Sequence, residues 1–227
     1  MKKKSLSYLL ITITILFFGS SCKKEKVENN TFNPKEYNIL ATIPTVFNDR
    51  VTAANPVIYT FKDQGVCSYA HLWGINNGYS YEWDGVSKLK VKDDNNGSVL
   101  VFVIENQKIT RVENGNGTPN TALDNISLQK IPSTNTFANK TFKGEVTSKS
   151  MWDGTKQTEV RTFTFNAQGD PYTTRPLPYN LTTIGNQAFR FVSSSNSDYY
   201  TFGASINGVL YLVEAGLPLY AGKLAQQ

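Results

Sequence analysis

Few residues in this chain could begin a reaction. Cys67 stands four positions before His71, the single histidine, and residues four apart on a strand share a face. A thiol and an imidazole so placed could meet only diagonally, and no orienting acid stands nearby. A small side chain in a half-buried strand is the preferred reading of Cys67. Glu82 and Asp84 fall on one strand face, the pairing that acid–base work on a glycosidic bond uses, although solvated strand carboxylates are the more common case. The stretch "KDDNNGS", Lys92 to Ser98, gathers oxygen ligands of the kind calcium accepts. Lys92 occupies the place of the first acidic ligand, so a hairpin turn is expected there. The triplet Trp-Asp-Gly occurs at Trp83 and again at Trp152, where an aromatic strand end followed by an Asp-Gly turn accounts for both. No Gly-rich phosphate loop, HExxH element, GxSxG elbow or Cys/His cluster is present. Accordingly no catalytic residue, no metal and no cofactor is assigned, and a glycoside-type hydrolase ranks behind noncatalytic roles.

The other cysteine, Cys22, has a more telling setting. Lys2, Lys3 and Lys4 precede an apolar run from about Tyr8 to Phe18, followed by Gly19, Ser20 and Ser21. A basic start, an apolar centre and a small-residue cleavage site make a secretory signal over residues 1–21. The apolar run is about half the roughly twenty residues a membrane-spanning helix needs. The stretch "FFGSSC" resembles the lipobox of bacterial lipoproteins, in the looser Bacteroidota form with Gly19 where Leu, Val or Ile is usual. The resemblance implies that the Cys22 thiol takes a diacylglycerol, and that cleavage makes Cys22 the acylated first residue of the mature chain. Two or three acyl chains anchor stably where one would not. An ordinary secreted protein cut near Ser21 is the alternative. Residues 22–30, ending in "KKEKVENN", read as a solvated tether. Lys24 and Glu25 are similar to the start of a surface-export signal that Lys26 interrupts, which leaves the outer or the periplasmic face of the outer membrane open.

The whole chain carries +5. The signal removes three lysines of the 23 basic residues and no acid, leaving 20 against 18, or +2. The remaining Lys and Arg are scattered rather than clustered, so nucleic acid is not an expected partner. With Cys22 committed to lipid, Cys67 has no disulfide partner within the chain.

The body, residues 31–227, contains an apparent repeat. "NTFNPKEYN" from Asn30 aligns with "NTFANKTFK" from Asn135 at an offset of 105, and "YTFKDQG" from Tyr59 with "FTFNAQG" from Phe163 at 104. "NGSVLVFV" from Asn96 and "NGVLYLV" from Asn207 give a third match near 111. By this offset the two Trp-Asp-Gly triplets are not equivalent. Alternation in "YSYEW" and "KLKVK" marks half-buried strands, and "DDNNGS" and "INGV" carry the Asn-Gly step of two-residue hairpins. Further strands are expected at "FKGEVTSK", "QTEVRTFTF", "QAFRFV", "DYYTFGA" and "GVLYLV". "ENGNGTPNTALDN" reads as a hairpin insertion, because "ISLQKI", ending at Ile131, is similar to the closing strand "LYAGKL", ending at Leu224. The chain is therefore divided near Pro132, into a first β domain at 31–131 and a second at 132–227. The expected fold is all-β: an antiparallel meander in two tandem small barrels or sandwiches. Over residues 136–227 the pattern resembles the lipocalin-like domains of Bacteroidota lipoproteins, with Phe142 and Gly144 in the first strand and a final apolar strand closing the meander.

Aromatic residues crowd the turns and strand ends. Most are expected to pack across strands, while Tyr79, Tyr81, Trp83 and Trp152 are the candidate ligand-binding residues, as a platform for sugar rings or the lining of an apolar pocket. The expected role is a membrane-anchored, noncatalytic envelope lipoprotein that binds a small apolar ligand, a glycan or a partner protein. The competing role is a structural or assembly component of the envelope.

Overall fold

The structure, a computed structural model, describes residues 32–47, 51–149, 155–171, 179–193, 199–216 and 219–227. The signal segment, Cys22, the tether and the triplet at Trp152 lie outside these residues. The described chain is all-β, in two antiparallel sheets, one nearly closed and barrel-like and the other open.

The first sheet begins after a buried Phe32 and a short 3-10 turn, Pro34–Glu36. Its strands are β1 (Tyr37–Phe47), β2 (Val51–Phe61), β3 (Val66–His71), β4 (Gly74–Trp83), β5 (Lys88–Asp93), β6 (Val99–Glu105), β7 (Lys108–Asn114) and β8 (Asp124–Lys130). The meander runs from β1 to β7, and β8 returns to pair with β1. The end strands β7 and β8 approach one another, which nearly closes the barrel. The second sheet contains β9 (Thr141–Lys149), β10 (Lys156–Thr164), β11 (Tyr179–Ile184), β12 (Ala188–Ser193), β13 (Tyr200–Ile206), β14 (Val209–Ala215) and β15 (Leu219–Gln226). Here too the last strand pairs with the first, β15 with β9, and β10 and β11 form the edges.

The stretches matched at offsets 105 and 104 hold like positions in the two sheets. Phe32 and Phe137 are both buried ahead of the first strand. After the second strand, Lys62 N donates to Val66 O at 2.8 Å and Asn166 N to Asp170 O at 3.0 Å. Each of these turns contains a glycine at positive φ, Gly65 at +74° and Gly169 at +79°, where a side chain would be strained. The third match falls on β6 and β14, which hold different places: two strands follow β6 in its sheet, one follows β14.

The Asn-Gly steps also differ. Asn207 and Gly208 both have positive φ and form the two-residue turn between Ile206 and Val209. In "DDNNGS" only Gly97 has positive φ, and the connection is wider. The Asp93 side chain accepts from Asn95 N at 2.9 Å, Asn96 Oδ1 accepts from Ser98 N at 2.8 Å, and Asp94 N reaches Gly78 O at 2.9 Å. Local side-chain bonds of this kind stabilise a broader loop against the tight turn.

Each sheet buries one face on itself. Ile39, Val57, Tyr59, Phe61, Leu89 and Phe102 pack inside the first. Phe137, Phe142, Phe163, Phe165, Phe189 and Phe191 pack inside the second. A third cluster joins the sheets, with Leu40, Ile58, Ala70 and Leu72 set against Phe202, Ala204, Tyr211 and Val213. Period two places Ile39 and Leu40 on opposite faces of β1, yet both are fully buried. Amides cross this seam: Asn38 Nδ2 donates to Gly185 O at 3.0 Å and to Gln187 Oε1 at 2.7 Å, and Gln187 Nε2 donates to Gln129 Oε1 at 3.1 Å.

Candidate functional site

Tyr79, Tyr81 and Trp83 alternate along β4 on the face that packs inside the first sheet. Tyr79 lies 5.4 Å from Tyr69, Tyr81 5.1 Å from Phe61 and Trp83 4.8 Å from Phe32, ring centre to ring centre. The polar ends of the two tyrosines are also engaged. The Tyr81 hydroxyl donates to Lys62 O at 2.9 Å. Burial, and then its hydrogen bond to Asp93, pushes the Tyr79 hydroxyl up to about 12. The structure thus brings three of the four candidate residues together as cross-strand packing, and Trp152 lies outside the described residues.

Cys67 and His71 share the inner face of β3 with Tyr69 between them. The His71 ring stacks on Tyr69 at 5.1 Å, while the buried Cys67 Sγ lies 3.8 Å from Ser68 O. Burial pushes the Cys67 thiol up to about 12, far from the thiolate a nucleophile needs at neutral pH. Burial, and then the Arg190 charge, holds His71 below its ordinary value.

The carboxylates are committed to structure as well. Glu82 points outward, 3.6 Å from Lys90 Nζ. Asp84 Oδ1 accepts from the backbone N–H groups of Val86, Ser87 and Lys88 at 2.8, 2.8 and 2.9 Å, which closes the turn after Trp83. Among the described residues, no group of three or more His, Cys, Asp or Glu is placed to hold a metal ion.

A different set of residues forms an open surface. The chain reverses between β3 and β4 in two residues, Leu72 and Trp73. Leu72 is fully buried in the seam, and this fixes the turn so that Trp73 projects outward, 55% exposed. Arg190, on β12, holds the turn from the other side: its Nε donates to Leu72 O at 3.1 Å and its Nη2 to Trp73 O at 3.3 Å. The guanidinium carbon lies 5.2 Å from the centre of the Tyr200 ring, and that ring lies 5.9 Å from Trp73 at 70°. The two aromatics therefore make a corner rather than a flat floor. Thr182 pairs opposite Arg190, and Asn180 and Tyr200 flank Val192 on either side. Residues directly opposite across strands share a face, so the exposed Asn180 and Thr182 stand on the side of Arg190 and Tyr200.

Among the described residues, no carboxylate lies within ion-pair distance of Arg190. Arg161, on the inner face of the second sheet, shows the opposite arrangement. It donates to Glu214 Oε2 at 2.8 Å and to Glu159 Oε1 at 2.5 Å, and lies over the Tyr220 ring at 4.0 Å.

No sequence pattern singles out Trp73, Tyr200 or Arg190. The available signals were slight: a Trp next to a Gly in "HLWGIN", and a lone charge in the apolar strand "QAFRFV". No family model matches the chain, and neither a curated protein nor a solved structure matches it.

Proposed function

We propose that this chain is a noncatalytic binding lipoprotein of the bacterial cell envelope, of Bacteroidota type with lipocalin-like β domains. It is held at the outer membrane by acyl chains on Cys22, and it binds a glycan at the corner of Trp73, Tyr200 and Arg190. The observation that carries this reading is the exposed Trp73 indole, set beside an aromatic wall and a ring of polar groups. Aromatic faces take the C–H faces of sugar rings, and a few placed donors and acceptors fix the orientation. The engagement of Tyr79, Tyr81 and Trp83 in packing favours this outer surface over the barrel interior. Inner faces packed with apolar side chains and a buried seam between the sheets also suit the competing role, a rigid spacer in the envelope.

Titration of the detergent-solubilised chain with immobilised and soluble oligosaccharides, followed by tryptophan fluorescence and calorimetry, tests the reading. Trp73→Ala should abolish binding while leaving the thermal transition unchanged. Binding that survives Trp73→Ala, or no binding to any glycan class, overturns it. An apolar adduct retained in native mass spectrometry would move the site to the interior. Cys22→Ala should release the protein from the membrane fraction, and continued tight membrane association would refute the anchor.

A further inference from the structure

The charge pattern around the corner narrows the ligand. We infer that the corner recognises an anionic saccharide, with Arg190 facing the acidic group of a sugar ring that lies on Trp73. This inference rests on the glycan reading above.

Three features support it. First, two of the Arg190 donors are spent on backbone carbonyls, Nε on Leu72 and Nη2 on Trp73. These bonds hold the guanidinium plane in place and leave Nη1 without a hydrogen-bond partner among the described residues. A guanidinium fixed by one edge presents the other in a geometry suited to a carboxylate or sulfate oxygen. Second, among the described residues no carboxylate answers the positive charge, whereas Arg161 faces two carboxylates. Among the described residues, the other groups about Arg190 are the Tyr200 ring, the Trp73 indole, the Thr182 hydroxyl, the Asn180 amide and, beyond the turn, His71, and none of these is negative. Third, Asn180 and Thr182 supply neutral donors and acceptors for ring hydroxyls beside the charge. A neutral sugar would use Trp73 and these polar groups but leave the guanidinium edge unmatched, which is how a site built for a charged group rejects the uncharged analogue.

The test compares four probes on the full detergent-solubilised chain: tetragalacturonate, its methyl ester, a chondroitin sulfate tetrasaccharide and maltotetraose. Tetragalacturonate or the sulfated probe should bind at least about tenfold more tightly than the methyl ester and maltotetraose, a difference of about 1.4 kcal/mol. The difference should shrink as salt is raised. Which acidic probe wins identifies a carboxylate or a sulfate as the charged group. Arg190→Gln should abolish the preference, whereas Arg190→Lys should keep a weakened one, because charge persists without the planar fork. Thermal melts of both variants report whether loss of the bonds to Leu72 O and Trp73 O unfolds the turn. Equal affinity for tetragalacturonate, the sulfated probe and the neutral probes overturns the inference and leaves the glycan reading standing. Binding of none overturns both, and an acidic preference that persists in Arg190→Gln assigns it to another residue and overturns the role of Arg190.

Discussion

Gly203→Ala offers a sharp test of the packing inside the second sheet. Gly203 pairs opposite Phe189 across β12 and β13. A methyl group there would stand 2.5 Å from two carbons of the Phe189 ring and 3.2 Å from Leu210 Cδ1. The ring has nowhere to retreat, because Phe137 lies against it at 5.1 Å edge-on and Phe165 at 5.4 Å. Overpacking of this kind costs about 1–3 kcal/mol. Removing glycine freedom from the unfolded chain returns up to about 1 kcal/mol. The expected net loss is about 1–2 kcal/mol, or a fall in melting temperature of roughly 3–6 °C for a chain of this size. Urea and thermal unfolding followed by far-ultraviolet circular dichroism would measure it. Phe189→Leu should itself destabilise but should relieve the clash, so a double-mutant cycle should show coupling of about 1 kcal/mol. A neutral or stabilising Gly203→Ala, or strict additivity with Phe189→Leu, would refute the reasoning.

Three further perturbations probe buried or turn-forming groups. Asn55, 6% exposed on the inner face of β2, has an Oδ1 with no hydrogen-bond partner among the described residues; Asn55→Leu should stabilise the protein by about 1–2 kcal/mol, and destabilisation in urea melts would count against an orphaned acceptor. Burial raises the Asp84 carboxyl, but the N–H groups of Lys88, Val86 and Ser87 outweigh it and hold the group below its ordinary 3.8. A folded-state value below the unfolded one stabilises above the unfolded value and loses that contribution as pH falls through the folded one. Asp84→Ala should therefore cost about 1 kcal/mol at neutral pH and flatten the acid limb of stability against pH; an unchanged acid limb would speak against the turn's role. In a Cys22→Ser chain Cys67 is the sole thiol, and with burial holding it up at about 12, labelling at mildly alkaline pH should proceed only through opening and accelerate with urea. Fast labelling of the native chain would contradict the burial.

The inner faces of the strands were legible because one buried face leaves a period of two. In β5, Leu89 and Val91 are buried while Lys88, Lys90 and Lys92 are exposed. In β4, Tyr79, Tyr81 and Trp83 share the inner side. The β1 segment "YNILATIPTVF" shows no such alternation, because Ile39 and Ala41 face the first sheet's interior while Leu40 meets the other sheet. A strand buried on both faces loses its period. The width of the Asp93 loop was likewise hidden, since it depends on bonds to Gly78 and Ser80 on the neighbouring strand.

By itself, then, the sequence determined the all-β character, the inner faces and the tight turn at Asn207 and Gly208, because alternation and positive-φ residues act over a few neighbouring positions. Only the tertiary structure decided that Leu72 would be buried and Trp73 exposed. It also brought Arg190 and Tyr200 to that turn from more than a hundred residues further along the chain. Adjacent apolar side chains in a two-residue turn have no periodicity to separate them. Which one meets the second sheet depends on the seam, a contact between distant segments that no local pattern encodes.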